Sequence, residues 1–428
     1  MTNQLFQLKQ LKTRRLNLPF TIKWLLISGL VGICVGTASA WFLISLKWAT
    51  TWRTDHLWIV ALLPLGGLMI AAMYHYWGQD VVKGNNQLLE EVENPNKIIP
   101  LKMAPLVLIG TVLTHLFGGS AGREGTAVQM GGSIADQFTK LFKFKKRDRR
   151  LLIVCGISAG FASVFGTPLA GAVFGLEVLV IGRMKYDALL PSLFSAVIAN
   201  YVCELWPVAH THYHVAVVPE FNIINLLLAV VAGIAFGLAS RSFSLGIEKL
   251  SHLFKTYIKN PLFRPVVGGT IVAAFVFITG TTKYIGLGVP TIVEAFSVQQ
   301  GIHVFAIKIA LTVLTLSAGF KGGEVTPLFY IGATLGSALS LFLPLPMGIL
   351  AAMGFVAVFA GAANTPVACV LMGLELFGTE TGVFIMIGCF VAYLFSGHSG
   401  IYTSQKIGSP KNPILLRDKS KHLNSINK

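Results

Sequence analysis

The chain of 428 residues is 54% hydrophobic and only 12% charged, with a mean hydropathy of +0.69. Soluble domains carry about a quarter charged residues, so this composition excludes an ordinary soluble enzyme or binding module and indicates a polytopic integral membrane protein. The net charge of +16 lies in segments outside the apolar runs, which suits loops that fix membrane orientation better than a nucleic-acid surface.

In chain order, residues 1–22 form a polar, basic N-terminal segment with Lys9, Lys12, Arg14 and Arg15. The first apolar run, Trp24–Leu46, is long enough to span, since ~20 apolar residues cross the hydrocarbon core. Its polar lead argues against a cleaved signal peptide. KGNNQLLEEV (Lys83–Val92) comes next, then TVLT (Thr111–Thr114) and a glycine-rich break, GGSAGREGTAVQMGGS (Gly118–Ser133). KFKKRDRR (Lys143–Arg150) is a basic loop, and TPLAGAVFGLEVL starts at Thr167. Residues 207–219 connect to a second series. That series has LLLAVVAGIAFGL (Leu226–Leu238), LGVPTIVEAF (Leu287–Phe296), TVLT (Thr312–Thr315), GFKGGEVTPLFYIGA (Gly319–Ala333) and TPVACVLMGLELF from Thr365. A basic tail, 406–428, carries Arg417, Lys419 and Lys421. The distribution of basic residues places both termini and the 143–150 loop in the cytoplasm.

The two series match in order, so the chain reads as an internal duplication. Residues 23–206 form the first membrane repeat, 207–219 the connection and 220–405 the second repeat. Glycine and proline interrupt apolar stretches at corresponding places. Broken helices at membrane depth are tolerated where backbone is buried or lines a site, and matched interruptions in two repeats point to a substrate site between them.

A helix starting near Glu124 leaves unpaired N–H groups aimed into the break, which with the helix dipole make an anion site. Gly122 and Gly125 allow close approach to the backbone. Glu124 is able to fill that site with its own carboxylate when ionised and vacate it when protonated; an acid inside the membrane is a functional candidate on cost alone. An ion pair with Arg123 is the bland alternative, disfavoured because adjacent helical residues face different ways. The second break supplies another helix start with Glu324, Val325 and Thr326. Two such starts aimed at one point predict an anion pathway coupled to protons.

GREGT, GGEVTP, the two TP-x-A-x4-GLE segments and GHSGIYTS (Gly397–Ser404) resemble the CLC family of anion channels and proton-coupled exchangers, in the right order over roughly residues 20–405. The resemblance implies an all-α integral membrane fold of two inverted-topology repeats of short, broken, tilted helices. It also implies a homodimer in the lipid bilayer of the cell membrane. By it, Glu124 is the gating acid, Arg123, Gly125 and Thr126 belong to the first anion motif, amides at Glu324, Val325 and Thr326 line the anion site, and Tyr402 bonds the central anion. Where the family has its chloride-binding serine, this chain has Asn85, or Asn86 if the alignment slips by one. Val178 follows Glu177 where chloride exchangers carry an internal proton acid.

These departures resemble the fluoride-exporting branch. Fluoride is small and strongly hydrated, so it demands more and stronger donors, which the Asn85 amide and the Thr126 and Thr326 hydroxyls offer. Glu324, opposite Glu124 in the repeat, is placed to receive the proton or to hold the swung gate. The expectation is therefore fluoride/proton antiport, with Glu124 and Glu324 as the gating and proton-coupling acids; an exchanger can use a proton gradient to expel an anion and a channel cannot. A chloride/proton exchanger or chloride channel of the same family is the alternative.

No enzymatic constellation, cofactor motif or nucleic-acid partner is expected. HTHYH (His210–His214) is a surface chelate on paper, but a solvated loop is the default and no metal site is assigned. The five cysteines are expected to be small hydrophobes. Glu177 and Glu375 are expected to cap or pair at helix ends, and Glu90 and Glu91 to face water or satisfy backbone donors. Lys321 either neutralises Glu324 or attracts anions. Only a short tail follows Tyr402, so the paired nucleotide-binding modules of many eukaryotic relatives are not expected, and the form resembles a compact bacterial transporter.

Overall fold

The computed structural model describes residues 18–412, 416 and 418–426; Lys9, Lys12, Arg14, Arg15 and Arg417 lie outside them. The first half runs through α1 (Leu18–Asp55), α2 (Leu63–Trp77), α3 (Asn85–Glu93), α4 (Met103–Leu116), α5 (Glu124–Leu141), α6 (Lys146–Phe165), α7 (Pro168–Glu177) and α8 (Leu189–Glu204). The second runs through α9 (Ile223–Tyr257), α10 (Arg264–Thr279), α11 (Val289–Glu294), α12 (Ile302–Ser317), α13 (Val325–Leu339), α14 (Met347–Ala363), α15 (Pro366–Phe377) and α16 (Gly382–Phe395). The protein is all-α apart from one parallel pair of two-residue strands, β1 (Val180–Ile181) and β2 (Lys406–Ile407), among the described residues. Four helical segments, 20–55, 57–77, 186–204 and 223–257, are long and apolar enough to cross a membrane; most of the others are shorter apolar helices.

The breaks have local causes. α6 ends at Gly166 in the left-handed region (φ 75°), and the proline of Thr167-Pro168 opens α7. α14 ends the same way at Asn364 (φ 61°), before Thr365-Pro366 opens α15. A left-handed residue stops a helix, and proline at the first turn starts one without losing a needed hydrogen bond. The duplicated Thr-Pro motif is therefore a helix–break–helix unit.

The halves meet by reciprocal exchange, as a two-fold relation requires. Gly122 N donates to Gly323 O at 2.6 Å, and Gly323 N to Gly122 O at 2.8 Å. Glu177 accepts from Val367 N and Ala368 N at the start of α15, while Glu375 accepts from Leu169 N and Ala170 N at the start of α7. The expected capping role of both acids is thus met across the repeat. Within each half, helices touch backbone to backbone. A Cβ at Gly131 would stand 2.1 Å from Gly156 O, and one at Gly332 1.9 Å from Gly354 O. Small residues allow this approach, which suits packing in a membrane where van der Waals contact drives helix association.

The connection 207–219 is a loop without helix or strand, with His212 and His214 exposed as expected, but it is anchored by its aromatic side chain. Tyr213 packs among Phe355, Phe296 and Phe377, with ring centroids 5.0–6.0 Å apart. His210 lies against Gly166 with its Nε2 buried and unpartnered. No group of three or more His, Cys, Asp or Glu side chains among the described residues is placed to hold a metal ion. The aromatic side chain between the histidines pulls the segment onto the core, because burying a large ring outweighs the gain from solvating the loop.

Candidate functional site

The glycines of both breaks let two backbones meet at the Gly122–Gly323 bridge, which brings the N-termini of α5 and α13 together. Glu124 is the first residue of α5, and its carboxylate is buried, with 1% exposure. It crosses to the other helix start. Thr326 N donates to Oε2 at 3.0 Å, the Thr326 hydroxyl donates to Oε1, and Arg123 N donates to Oε2 at 3.1 Å. The carboxylate thus occupies the place that helix-terminal donors and dipole favour for an anion.

The ion pair that sequence reasoning disfavoured is present: Arg123 Nε stands 3.5 Å from Glu124 Oε1. Arg123 is the N-cap of α5, with non-helical backbone (φ −123°, ψ −23°), so the rule that neighbouring helical residues diverge does not govern it.

Glu324 is the N-cap of α13. A Cβ on Gly125 would stand 3.0 Å from Asn85 Nδ2, 3.3 Å from Gly323 Cα and 3.5 Å from Glu324 Oε2, so these groups converge on Gly125. Glu324 Oε2 and Asn85 Oδ1 are both buried acceptors without a hydrogen-bond partner. Burying such atoms unsatisfied is costly, and a proton on the carboxyl or a bound donor relieves the cost.

Asn85 opens α3 after Gly84, whose φ of 58° suits glycine. A cavity of ≈ 10 Å³ is lined by Asn85, Leu88, Leu89, Val128, Phe174 and Tyr402, with Ile157 and Val178 completing it. It holds about one water-sized particle. Of the two alignments, the structure favours Asn85: Asn86 is turned away and accepts from Ser404 N at 2.9 Å. Tyr402 is 3% exposed, its ring against Phe174.

Two expected contributions are placed elsewhere. The Thr126 hydroxyl is 2.7 Å from Thr111 Oγ1, and because Thr111 donates to Val107 O, the shared proton comes from Thr126. Its hydroxyl therefore serves the α4–α5 contact, not the pathway. Lys321 forms no salt bridge with Glu324, but the two are close enough for their charges to interact, and the Lys321 ammonium lies 4.0 Å from the Tyr74 ring centroid. Val325 opens α13 and is buried. Glu91 takes Arg149 and the amides of Asn96 and Lys97, while Glu90 takes Lys83 and Ser404.

Sequence reasoning missed a set of basic groups behind the first break. Lys308, fully buried, donates to Tyr284 O at 3.1 Å and Gly286 O at 2.8 Å. Arg53 Nη1 donates to His115 O at 2.5 Å, and His115 Nε2 is 3.3 Å from Gly122 O. Gly286 N in turn holds Gly119 O at 3.0 Å. Among the described residues neither Lys308 nor Arg53 forms a salt bridge with a carboxylate; both are held by backbone carbonyls. A lone lysine inside the apolar run IKIALTVLTL was the available signal.

The family model described as "Voltage gated chloride channel" matches residues 66–397. A "Chloride/fluoride channel protein" of Pseudomonas syringae pv. tomato is 51% identical over 401 residues, 92% of this chain and 89% of that protein. The "H(+)/Cl(-) exchange transporter ClcA" of Vibrio cholerae is 26% identical over 392 residues, 84% of this chain and 82% of the relative. Among solved structures, a CLC-type fluoride/proton antiporter aligns with a TM-score of 0.87 and 35% identity, covering 90% of this chain and 98% of that one. A slow cyanobacterial Cl−/H+ antiporter aligns with a TM-score of 0.79 at 22% identity over 95% and 99%, a likeness of fold.

Proposed function

The chain belongs to the voltage-gated chloride channel (CLC) family, and from that premise we propose that it exports fluoride by fluoride/proton antiport. The observation that carries the reading is the seat of Glu124. Its carboxylate takes the amide and hydroxyl of Thr326 at the start of α13, where an anion would bind. Protonation removes the charge those donors hold, the side chain leaves and an anion enters; when the anion leaves, the acid ionises and returns. One group thereby exchanges a proton for an anion at one place, which is the coupling antiport needs.

Glu324 is the second proton carrier in this reading, supported by its unpartnered oxygen beside Gly125. Asn85, Gly125, Val325, Thr326 and Tyr402 form the anion route, with Arg123 at its rim. Thr126 acts through its backbone position only. Fluoride is favoured over chloride because the central cavity has room for about one water-sized particle and polar groups at Asn85 and Tyr402. An ion stripped of its water needs such donors.

Residues 23–206 and 220–405 are the two repeats in inverted topology, joined by 207–219, with both termini cytoplasmic and the whole working as a homodimer in the cytoplasmic membrane. The likeness of fold to the solved fluoride/proton antiporter, at a TM-score of 0.87 over 90% of this chain, supports the membrane fold of this reading. The competing reading, chloride as cargo, draws on the ClcA relative. Release of fluoride and chloride from liposomes carrying the purified protein separates the two. Fast fluoride release with little chloride supports the proposal, and chloride release at a comparable rate overturns it.

A further inference from the structure

Asn86, Glu90 and Glu93 fall on one face of α3, because side chains at i, i+4 and i+7 stack along a helix. All three reach the segment that follows Tyr402. Asn86 Oδ1 accepts from Ser404 N at 2.9 Å, and Glu90 Oε1 from the Ser404 hydroxyl at 3.0 Å. Glu93 takes Lys406 Nζ at 2.9 Å and His422 Nε2 at 2.8 Å. Lys406 and His422 of the expected basic tail are thus held against α3, and β2 pairs with β1.

The same segment is held from behind. Gln405, fully buried, donates to Val178 O and Ala363 O, each at 2.8 Å, and accepts from Asn364 Nδ2 at 3.0 Å. Leu423 N and Asn424 N close onto Gln405 O and Thr403 O. α3 begins with Asn85 and the segment begins with Tyr402, the two polar lining residues of the central cavity. The rungs at 86, 90 and 93 line no part of that cavity. They therefore tie its two polar walls together without touching what it holds.

We propose that Asn86, Glu90 and Glu93 are positioning residues: a polar latch between α3 and the 404–422 segment that holds Asn85 and Tyr402 at the spacing which passes fluoride and refuses chloride. The inference rests on the fluoride reading above. In that cavity the donors are useful only at a fixed distance, so a loosened latch widens the gap and admits the larger anion. A residue that merely stabilised the fold would change both fluxes together.

The test compares fluoride and chloride release from liposomes for wild type, Glu93→Ala, Asn86→Ala and the double variant, with Glu93→Gln as the conservative change. Wild type is expected to release fluoride and little chloride. Glu93→Ala should raise the chloride-to-fluoride ratio roughly fivefold, the scale of one net hydrogen bond lost, and the double variant should raise it further. Glu93→Gln, whose single carbonyl oxygen accepts from Lys406 or from His422 but not from both in these positions, should fall between wild type and Glu93→Ala. Equal falls in both fluxes, or an unmoved ratio, overturn the latch. If Glu93→Ala does not yield folded protein, Ser404→Ala is read by the same criterion, since it removes the Glu90 rung and leaves α3 intact. A wild type that passes both anions alike overturns the fluoride reading and the latch with it, whereas a selective wild type with an unmoved variant ratio overturns the latch alone.

Discussion

The two breaks, 118–124 and 319–324, share a backbone plan and differ in what their acids do. Each has glycines, a bridge residue and a glutamate at a helix start, and the bridge bonds run both ways between Gly122 and Gly323. Yet Glu124 takes three donors while Glu324 keeps an oxygen with none. The two halves carry similar anion-friendly helix starts, and one side chain from the first has filled the second. The difference teaches that pseudo-symmetric backbones can hold one acid as a bound anion and leave its counterpart short of a proton or a donor.

Substitutions at these positions break or sharpen the comparison. Glu124→Gln keeps the shape and removes the charge, so proton-coupled fluoride flux should fall by at least about 10²-fold, the scale of a positioned acid–base group; normal coupled exchange in that variant would remove Glu124 from the gate. Glu324→Gln should lower proton movement by roughly tenfold, the weight of a hydrogen bond to a charged group, and more than it lowers anion release, as parallel pH and fluoride electrodes report. Equal losses would make the two acids equivalent after all. Thr326→Val deletes the hydroxyl donor to Glu124, worth about 1.5–3 kcal/mol for a bond to a charged acceptor, so uncoupled fluoride leak should rise.

Asn85→Ser should erode discrimination against chloride by a few-fold, about the effect of one weaker net hydrogen bond; unchanged selectivity would shift the job to Thr326. Thr126→Val comes last. With its hydroxyl spent on Thr111, transport should stay within about twofold and the cost should show as a small loss of thermal stability, about 1 kcal/mol or less.

The chain of helices, the breaks between them and the acid of the first break were legible because they are local. Apolar length, Gly-Pro punctuation and an acid in an apolar setting all sit within a few residues of each other. The choice between Asn85 and Asn86 was not, since both open the same short helix and only the partner at Ser404 separates them. The Thr126 hydroxyl was misplaced for the same reason: its partner, Thr111, lies on the preceding helix. The Arg123–Glu124 contact was discounted by a rule for helical neighbours that does not apply at an N-cap. Tyr213 anchors the connection through rings far away in the chain, and the reciprocal caps of Glu177 and Glu375 cross about half its length. A lysine alone in an apolar helix, Lys308, was a readable signal that went unused.

The central claim is that one acid exchanges a proton for an anion, and one measurement bears on it most directly. Liposomes holding the protein are loaded with fluoride at equal pH on both sides, and external fluoride and pH are followed together. The account predicts that fluoride leaving drives protons inward against no initial gradient, so the outside becomes more alkaline as fluoride appears. Fluoride release with no accompanying proton movement would contradict it.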